Sequence, residues 1–258
     1  MDIDPKVREA VENARVSSRF AKGYYDPDAE GWLIDMHKLD TKVLDDALPR
    51  PCKLFDATMG PGRHVIHFAQ RGFEVSGNDY NPHMVEEAKK ALKGKKLKAK
   101  LFNLDATSLS GIKSNHYDAV ICMGSSLGCI PKSHNRMMAM REFARIAKPG
   151  AILVMHFNNL WSFTYGDVWT IGFSLFNRRK GYEFGDSYFH HSDELGYFFN
   201  HIFCVSEVKK MFKDVDLIIE NIVCLDRQQE RFKPRWLPQW MCGGFFVIAK
   251  KPSELKTE

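Results

Sequence analysis

Residues 55–63 read FDATMGPGR, and this short stretch decides the fold. It predicts a β-strand that runs through Asp56, a tight turn that contains Gly60 and Gly62, and a helix that begins at Arg63. Glycine lets the backbone approach a ligand closely and adopt φ angles that are closed to other residues. In open α/β sheets, ligands bind beyond the carboxyl ends of the strands, close to this first turn. The stretch therefore predicts a ligand site at the first strand-to-helix turn.

The chain on either side of this turn alternates between strand and helix patterns. Helices are predicted over residues 63–71, 81–92 and 133–147, and strands over residues 53–58, 73–78, 97–103, 117–123, 151–157, 218–225 and 245–249. Repeated βα units favour a mainly parallel sheet with helices on both faces. The sequence therefore predicts an α/β, Rossmann-like fold that is built on one seven-stranded sheet.

The segments around this core differ from it in pattern. Residues 1–49 show helical patterns and are interpreted as an N-terminal helical lid over a ligand-binding core at residues 50–157. Residues 158–205 are rich in Trp, Tyr and Phe with little clear periodicity, and we interpret them as a cap over the carboxyl ends of the strands. Residues 206–258 are expected to complete the core sheet.

The composition is that of a globular protein with an excess of basic residues. A net charge of +5 permits nucleic-acid binding without requiring it, and the lysines of residues 89–100 are typical of a solvated surface. The six cysteines form no C-x-x-C pair, which predicts reduced thiols and no metal site. The N-terminus does not resemble a signal peptide, and no apolar run reaches about 18 residues. We therefore expect a cytoplasmic protein without a membrane span.

Two further carboxylates follow the next two predicted strands. Asp79 ends the second strand, where one carboxylate can accept hydrogen bonds from both hydroxyls of a ribose. Asp105 follows the third strand, where it can accept a hydrogen bond from an adenine amino group. Together with Asp56 they predict a nucleotide-like ligand. A NAD-binding fingerprint requires G-x-G-x-x-G/A, and Val65 occupies its last position, which argues against a dehydrogenase.

Residues 53–157 resemble the core of the class I S-adenosylmethionine (SAM)-dependent methyltransferases, whose first motif is D-x-G-x-G-x-G. Asp56, Gly60 and Gly62 match this motif, and Thr58 replaces its first glycine. More narrowly, the stretches YDAVICMGSS at 117–126 and IAKPGAILV at 146–154 are similar to the glycine N-methyltransferase and glycine/sarcosine methyltransferase group. The residues at 232–234 and 245–251 also resemble the end of that family's chain.

The resemblance implies SAM as the cofactor and assigns parts of it to particular residues. Thr58 and Gly60 would lie along its methionine part, and Asp79 would bind the ribose. The adenine would meet Asp105 and Ala106, and the sulfonium would lie beside Met123. The full set of residues that the resemblance associates with the cofactor is Tyr24, Tyr25, Trp32, Asp56, Thr58, Gly60, Gly62, Asp79, Asp105, Ala106 and Met123.

The substrate positions depart from the family pattern. Asn158 stands where glycine N-methyltransferases have an arginine that clamps the substrate carboxylate, and Ser125 replaces their substrate-side asparagine. A neutral amide cannot supply the bidentate, charged fork of arginine, so both changes argue against glycine as the acceptor. Arginines at 178, 179 and 231 are the alternatives for the clamp. His156, with His190 and His191, is a candidate proton acceptor for a phenol or thiol.

These features predict methyl transfer to a small molecule, with an amine nitrogen as the leading acceptor. O- or S-methylation of an aromatic or apolar acceptor and SAM binding without turnover are the alternatives. Aromatic residues of the cap could form a cation–π cage or an apolar slot, and the ones considered are Trp161, Phe163, Tyr165, Trp169, Tyr182, Tyr188 and Tyr197. The fourth strand ends in MGSS and not in [N/D]-P-P-[Y/F], which argues against a nucleic-acid substrate. Homo-oligomerisation is left open.

Overall fold

The computed structural model describes residues 4–18, 32–48, 50–162, 165–192, 196–226, 232 and 242–253. The helices of this part of the chain are Pro5–Val16 (α1), Trp32–Ala47 (α2), Arg63–Gln70 (α3), Pro82–Gly94 (α4), Ser133–Ile146 (α5), Tyr165–Phe176 (α6) and Val205–Lys213 (α7). The strands are Lys53–Asp56 (β1), Glu74–Asn78 (β2), Lys100–Phe102 (β3), Tyr117–Cys122 (β4), Ala147–Asn158 (β5), Asp186–Ser192 (β6), Gly196–His201 (β7), Ile218–Cys224 (β8) and Gly244–Lys250 (β9). None of the described helices is long and apolar enough to cross a bilayer.

Seven strands form one sheet in the order β3-β2-β1-β4-β5-β9-β8. The five strands from β1 to β5 run parallel, and β9 pairs antiparallel with both β5 and β8. The predicted mainly parallel, seven-stranded sheet is therefore confirmed. Because parallel strands end at the same edge, the carboxyl ends of β1, β2 and β4 lie side by side and define one rim of the sheet.

Local sequence explains where the helices begin. The Asp4 side chain accepts a hydrogen bond from the backbone N of Lys6 at 2.8 Å, and proline follows directly at the first position of α1. Asn81 caps α4 in the same way by accepting from the backbone N of His83 at 2.8 Å. The Asn81 side chain also donates to the carbonyl of Ala14 at 2.8 Å, which ties the end of α1 to the core.

Apolar residues on both faces of the sheet hold the helices against it. One face packs around Phe143 of α5, Phe157 of β5 and Phe212 of α7, all fully buried. The other face packs around Leu44 of α2 and Phe68 of α3. Fully burying a side chain of this size contributes about 1.5–3 kcal/mol relative to leaving it exposed. The two buried layers account for the position of the helices on both sides of the sheet.

The fifth strand is longer than the sequence predicts. It begins at Ala147, four residues earlier than expected, because the KPG sequence does not end the pairing. Tyr117 of β4 pairs with Ala147, and an irregularity in the register then accommodates the proline and glycine. Gly150 has a φ of 82° and donates its backbone N–H to the carbonyl of Lys251 at 2.8 Å. Long-range pairing therefore overrides the local turn signal.

The segment predicted as a featureless aromatic cap contains α6 and an antiparallel hairpin of β6 and β7. Helix α1 packs against β7, and Val7, Tyr182 and Phe199 form a small buried cluster there. Trp, Tyr and Phe are so frequent in this segment that the sequence does not show the alternation of apolar and polar residues typical of a hairpin. The domain bounds at residues 49, 157 and 205 stay predictions.

A buried ionic network joins the hairpin to α5 and α7. His201 Nδ1 lies 2.7 Å from Asp186 and its Nε2 lies 3.0 Å from Glu207, while Arg136 bonds Glu183 at 2.7 Å. Burial opposes the positive charge of His201, but its hydrogen bonds to the two carboxylates raise its pKa above the ordinary value. Glu183, Asp186 and His201 are close enough to share a cation. The Arg136 guanidinium already supplies a positive charge at this point.

Candidate functional site

The turn after β1 has the backbone geometry that its glycines permit. Gly60 and Gly62 have φ angles of 55° and 91°, which other residues rarely adopt. A Cβ on Gly62 would lie 3.0 Å from the Cβ of Ala88, so this glycine also allows α3 and α4 to approach each other closely. A Cβ on Gly60 would meet nothing within 4 Å, because this residue faces an open cleft.

Asp79 lies at the end of β2, directly opposite this turn. One carboxylate oxygen accepts the backbone N–H of Gly60 at 2.9 Å, and the other accepts that of Asn81 at 2.9 Å. Each oxygen of an ionised carboxylate can accept about two hydrogen bonds, so each retains one acceptor position. Burial raises the pKa of Asp79 to about 6, against the effect of the two backbone donors.

Asn78 holds the ends of β1, β2 and β3 together from the floor of the cleft. Its amide group donates to the carbonyls of Ala57 at 3.3 Å and Leu104 at 3.1 Å, and its oxygen accepts from the backbone N of Leu104 at 2.9 Å. This arrangement sets the position of Asp105. One oxygen of Asp105 accepts from both the backbone N and the hydroxyl of Thr107, at 2.8 and 2.7 Å.

A cleft of about 550 Å³ opens at this rim of the sheet. The volume lies within the range of about 300–1,000 Å³ that small-molecule sites commonly have. Its floor is the strand ends, and its opposite wall is made by α1 and by the hairpin. The lining includes basic, acidic, aromatic and small residues, among them Arg8, Arg15, Thr58, Gly60, Asp79, Tyr80, Asp105, Ala106, Phe198 and Phe199.

A small side pocket continues from the cleft past Thr58 and Gly60. It is lined by Met123 and also by Arg63 and His64 at the beginning of α3. The Arg63 guanidinium lies 3.3 Å from Asp40 of α2. Burial opposes ionisation of Asp40, but the hydrogen bond and charge of His64, with the charge of Arg63, hold its pKa below the ordinary value. The side pocket therefore presents a guanidinium beside the first turn.

Most of the predicted cofactor residues meet at this cleft. Thr58, Gly60, Asp79, Asp105 and Ala106 line it, and Met123 lines the side pocket. Gly62 caps α3 and shapes the turn from outside the lining. Tyr24 and Tyr25 lie outside the described residues, and so does the side chain of Trp32.

Asp56 lies deeper than the resemblance implies. Its side chain is buried under the turn, accepts from the backbone N of Thr58 at 3.3 Å and is not part of the described cleft lining. Burial raises its pKa to about 6, and His64, whose Nδ1 lies 3.8 Å from the carboxylate, opposes the rise. Asp56 thus supports the turn through the backbone of Thr58. Its direct contact with a cofactor stays a prediction.

Two of the three predicted substrate-side residues lie together. Ser125, at the end of β4, accepts the backbone N–H of Asn158 through its hydroxyl at 3.1 Å. Ser125 is only 1% exposed, and neither Ser125 nor Asn158 is part of the described lining of the cleft or of its side pocket. His156 is only 1% exposed, its ring lies 4.9 Å from that of Phe246, and it is not part of the described lining. This placement gives no support to His156 as a proton acceptor at the cleft.

The cleft also contains residues that the sequence did not single out. Tyr80 presents a partly exposed ring between Asp79 and Asp105, and the guanidinium of Arg15 lies 5.4 Å from the centre of that ring. Phe198 and Phe199 line the opposite wall, whereas none of the seven cap aromatics considered from sequence does so in the described part of the chain. No local signal in the sequence identifies these two phenylalanines, because the frequent aromatic residues of this segment obscure the alternation of a hairpin strand.

Comparison with known proteins agrees with this geometry. Residues 54–150 match the methyltransferase domain family. The chain is 24% identical over 166 residues to a glycine/sarcosine N-methyltransferase of Parasynechococcus marenigrum, which covers 61% of this chain and 58% of that protein. It is 26% identical over 147 residues to norajmaline N-methyltransferase of Rauvolfia serpentina, over 52% of this chain and 49% of that protein.

Solved structures show the same fold. A SAM-dependent methyltransferase of Methanosarcina mazei superposes with a TM-score of 0.69 at 21% identity, covering 82% of this chain and 98% of that chain. The family match assigns residues 54–150 to a methyltransferase domain, and the superposition shows that the chain has the fold of a solved SAM-dependent methyltransferase. The matched part spans somewhat more than half the length of the glycine/sarcosine N-methyltransferase.

Proposed function

We propose that this protein transfers a methyl group from SAM to an amine nitrogen of a small, largely apolar acceptor. The observation that carries the proposal is the cleft at the carboxyl ends of the strands, where Asp79 retains an acceptor position on each oxygen beside the open face of Gly60. When bound there, SAM would supply an electrophilic methyl group that needs no further activation.

The residues around the cleft fit the parts of SAM in order. Asp79 would accept from both ribose hydroxyls, since its two remaining acceptor positions match two donors. The free oxygen of Asp105 would accept from the adenine amino group, and the ring of Tyr80 offers a flat surface for the base. Thr58 and Met123 would lie along the methionine part. Arg63 in the side pocket would meet its carboxylate.

The acceptor side of the site favours an uncharged, apolar molecule. Ser125 and Asn158, which the resemblance assigns to the acceptor, are neutral and lie outside the described lining, and the Ser125 hydroxyl accepts the backbone N–H of Asn158. Phe198 and Phe199 add an apolar wall. An amine must lose its proton before it attacks, and an environment that disfavours a charged ammonium promotes that loss. Two of the similar proteins are named as N-methyltransferases, one of glycine and sarcosine and one of norajmaline, which supports nitrogen as the acceptor atom.

Release of S-adenosylhomocysteine from SAM across two acceptor panels tests this proposal. One panel holds glycine, sarcosine and dimethylglycine, and the other holds amines, phenols and thiols without a carboxylate. We expect turnover with amines of the second panel. Turnover confined to phenols or thiols would favour the O- or S-methyltransferase alternative, and tight SAM binding without product in either panel would favour a protein without turnover.

The variant Asn158→Arg tests the position of the missing clamp. It is expected to raise kcat/KM for a carboxylated amine relative to its decarboxylated counterpart, because a guanidinium pairs with a carboxylate through two hydrogen bonds. Asn221→Arg, on the exposed far edge of the sheet in β8, adds the same charge away from the cleft and serves as the control. An equal effect of both variants would show that Asn158 does not face the acceptor.

A further inference from the structure

Among the described side chains of helix α6, three large apolar ones are exposed and two small polar ones are buried, the reverse of the usual pattern, while Phe173 packs against the cluster that contains Tyr182. Trp169, Leu175 and Phe176 are 60%, 51% and 90% exposed, whereas Thr170 and Ser174 are 2% and 0% exposed. The usual surface helix buries its large apolar side chains and exposes its polar ones. The exposed apolar side chains of α6 are therefore placed where the described part of the chain leaves them uncovered.

The two buried polar side chains of α6 form hydrogen bonds with the hairpin and with the residue that precedes it. The Thr170 hydroxyl donates to the hydroxyl of Ser187 at 3.2 Å, and the backbone N of Gly185 donates to the Ser174 hydroxyl at 3.4 Å. These contacts fix which way the helix faces, so the reversal is a property of the packed structure. Turning α6 over would bury its large side chains but would break both hydrogen bonds.

The exposed apolar side chains form one stripe. Trp169 and Phe176 are seven residues apart, which is close to two helical turns, so they lie on the same side of α6. Gly172 lies between them and adds no bulk, and Leu175 widens the stripe at its end. Phe184 is also exposed shortly after the helix. A surface of this composition indicates an apolar environment outside the protein.

Basic residues follow the stripe directly. Arg178, Arg179 and Lys180 form a short 3₁₀ turn at the end of α6, and the side chains of all three are exposed. Arg178 shares a surface hollow with Lys132 and with Glu183, whose carboxylate is paired with Arg136. The outer edge of α6 therefore combines Trp and Phe with clustered positive charge.

We propose that α6 and its basic turn bind the surface of an anionic lipid bilayer, with Trp169 and Phe176 inserted at the level of the headgroups. Tryptophan and phenylalanine on one face with Lys and Arg beside them are typical of helices that lie in the membrane interface. Clustered Lys and Arg are attracted to anionic lipids within about 10 Å of the surface at physiological salt. At 12 residues the helix is about 18 Å long, which suits lying in the interface.

A second copy of the chain fits this surface less well. A twofold contact with the two copies of α6 parallel would bring the basic turns together, and like charges at an interface oppose association. The stripe is also narrow compared with the roughly 800 Å² per partner that stable interfaces bury. An anionic surface instead pairs with the basic turn and accepts the aromatic side chains together.

Co-flotation with lipid vesicles tests the proposal on the full-length protein. Vesicles of phosphatidylcholine alone are compared with vesicles that contain about 30 mol% phosphatidylglycerol, at low and at physiological salt. We expect binding to the anionic vesicles only, with weaker binding as salt rises. The SAM affinity of the same protein, measured without vesicles, provides an independent readout of the cleft, whose described lining includes no residue of α6.

Two variants, each with a matched control, separate the contribution of the apolar stripe to vesicle binding from that of the basic turn. Phe176→Ser and the neutralised turn Arg178→Gln/Arg179→Gln/Lys180→Gln are each expected to weaken vesicle binding about tenfold or more. Ile218→Ser removes an apolar side chain that is 59% exposed on β8, and Lys89→Gln/Lys90→Gln removes exposed charges on α4. Both controls are expected to bind within about twofold of the unchanged protein.

Three results would overturn the proposal. One is the absence of flotation with anionic vesicles, and another is an equal loss of binding in the controls. The third is a stable dimer in solution, seen by light scattering, that Phe176→Ser converts to a monomer, because a second copy would then be the occupant. Phe176 makes few contacts within the protein, so an unchanged thermal unfolding midpoint is expected for Phe176→Ser and shows that a loss of binding reflects the surface.

Discussion

Removing the Asp79 carboxylate provides the sharpest test of the proposed cofactor site. Its two oxygens are held by the backbone N–H groups of Gly60 and Asn81, both at 2.9 Å, so the carboxylate has one orientation. The second acceptor position on each oxygen is left for the two hydroxyls of a ribose. Asp79→Ala deletes both acceptor positions. It also removes the hydrogen bond that holds the backbone of Gly60, beside which the cofactor would lie.

The expected loss follows from the strength of hydrogen bonds to a charged acceptor. Each such bond contributes about 1.5–3 kcal/mol, and the two are not additive because they share one carboxylate. Taking the value of a single bond as the lower limit, we expect SAM to bind about 10- to 150-fold more weakly. Asp79→Asn should also weaken binding, since its NH₂ group would face one of the two backbone N–H donors.

Isothermal titration calorimetry with SAM and S-adenosylhomocysteine measures this loss directly. Asp118→Asn is the matched control, because Asp118 pairs with Lys148 at 2.6 Å near the amino end of β4, at the opposite edge of the sheet. Thermal unfolding of each variant checks that the fold is retained. A dissociation constant for Asp79→Ala within about twofold of the unchanged protein would refute the placement of the ribose at Asp79.

Three further predictions concern pH and backbone geometry. Burial raises the pKa of Asp79 to about 6, and the ribose hydroxyls need the ionised carboxylate as their acceptor, so SAM affinity should fall as the pH drops below about 6. Calorimetry at several pH values should show no such fall for Asp79→Asn. Gly62→Ala should lower the free energy of unfolding, measured by denaturant titration, by about 2 kcal/mol or more, because its Cβ would meet Ala88. Gly60→Ala should lower the free energy of unfolding by only about 1–2 kcal/mol, but calorimetry should show weaker SAM binding. His201 has a raised pKa, so its stabilising charge is present below about pH 6.5 and is lost as the pH rises through the raised value. The difference in unfolding free energy between the unchanged protein and His201→Gln should therefore shrink as the pH rises. A difference that stays constant with pH would contradict the ionic role of His201.

Local sequence was sufficient to predict the core of this protein. The alternation of strand and helix patterns predicted all seven strands of the sheet, and the helix signals at Asp4 and Asn81 are visible as caps. The position of the candidate cleft also followed from sequence, since Thr58, Asp79 and Asp105 come directly after strands whose ends must share one rim. These features depend on residues that are neighbours in the chain, and their geometry is set by the backbone.

The parts that sequence could not predict depend on which distant segments meet. The wall opposite Asp79 is made by α1 and β7, and nothing local in Phe198 or Phe199 indicated that they would reach the cleft. Similarly, His156 follows a strand pattern that fits either face, and only packing against Phe246 placed it inside the core.

The sequence by itself therefore determined the sheet, the first turn and the carboxylates at its rim, because hydrophobic periodicity and glycine geometry act over a few residues. Only the tertiary structure decided which side chains line the acceptor side and which face of α6 is exposed. The physical reason is that burial is shared between segments far apart in the chain. The side chains of Thr170 and Ser174 could be buried only because the hairpin supplied partners for them, and this left Trp169 and Phe176 outside.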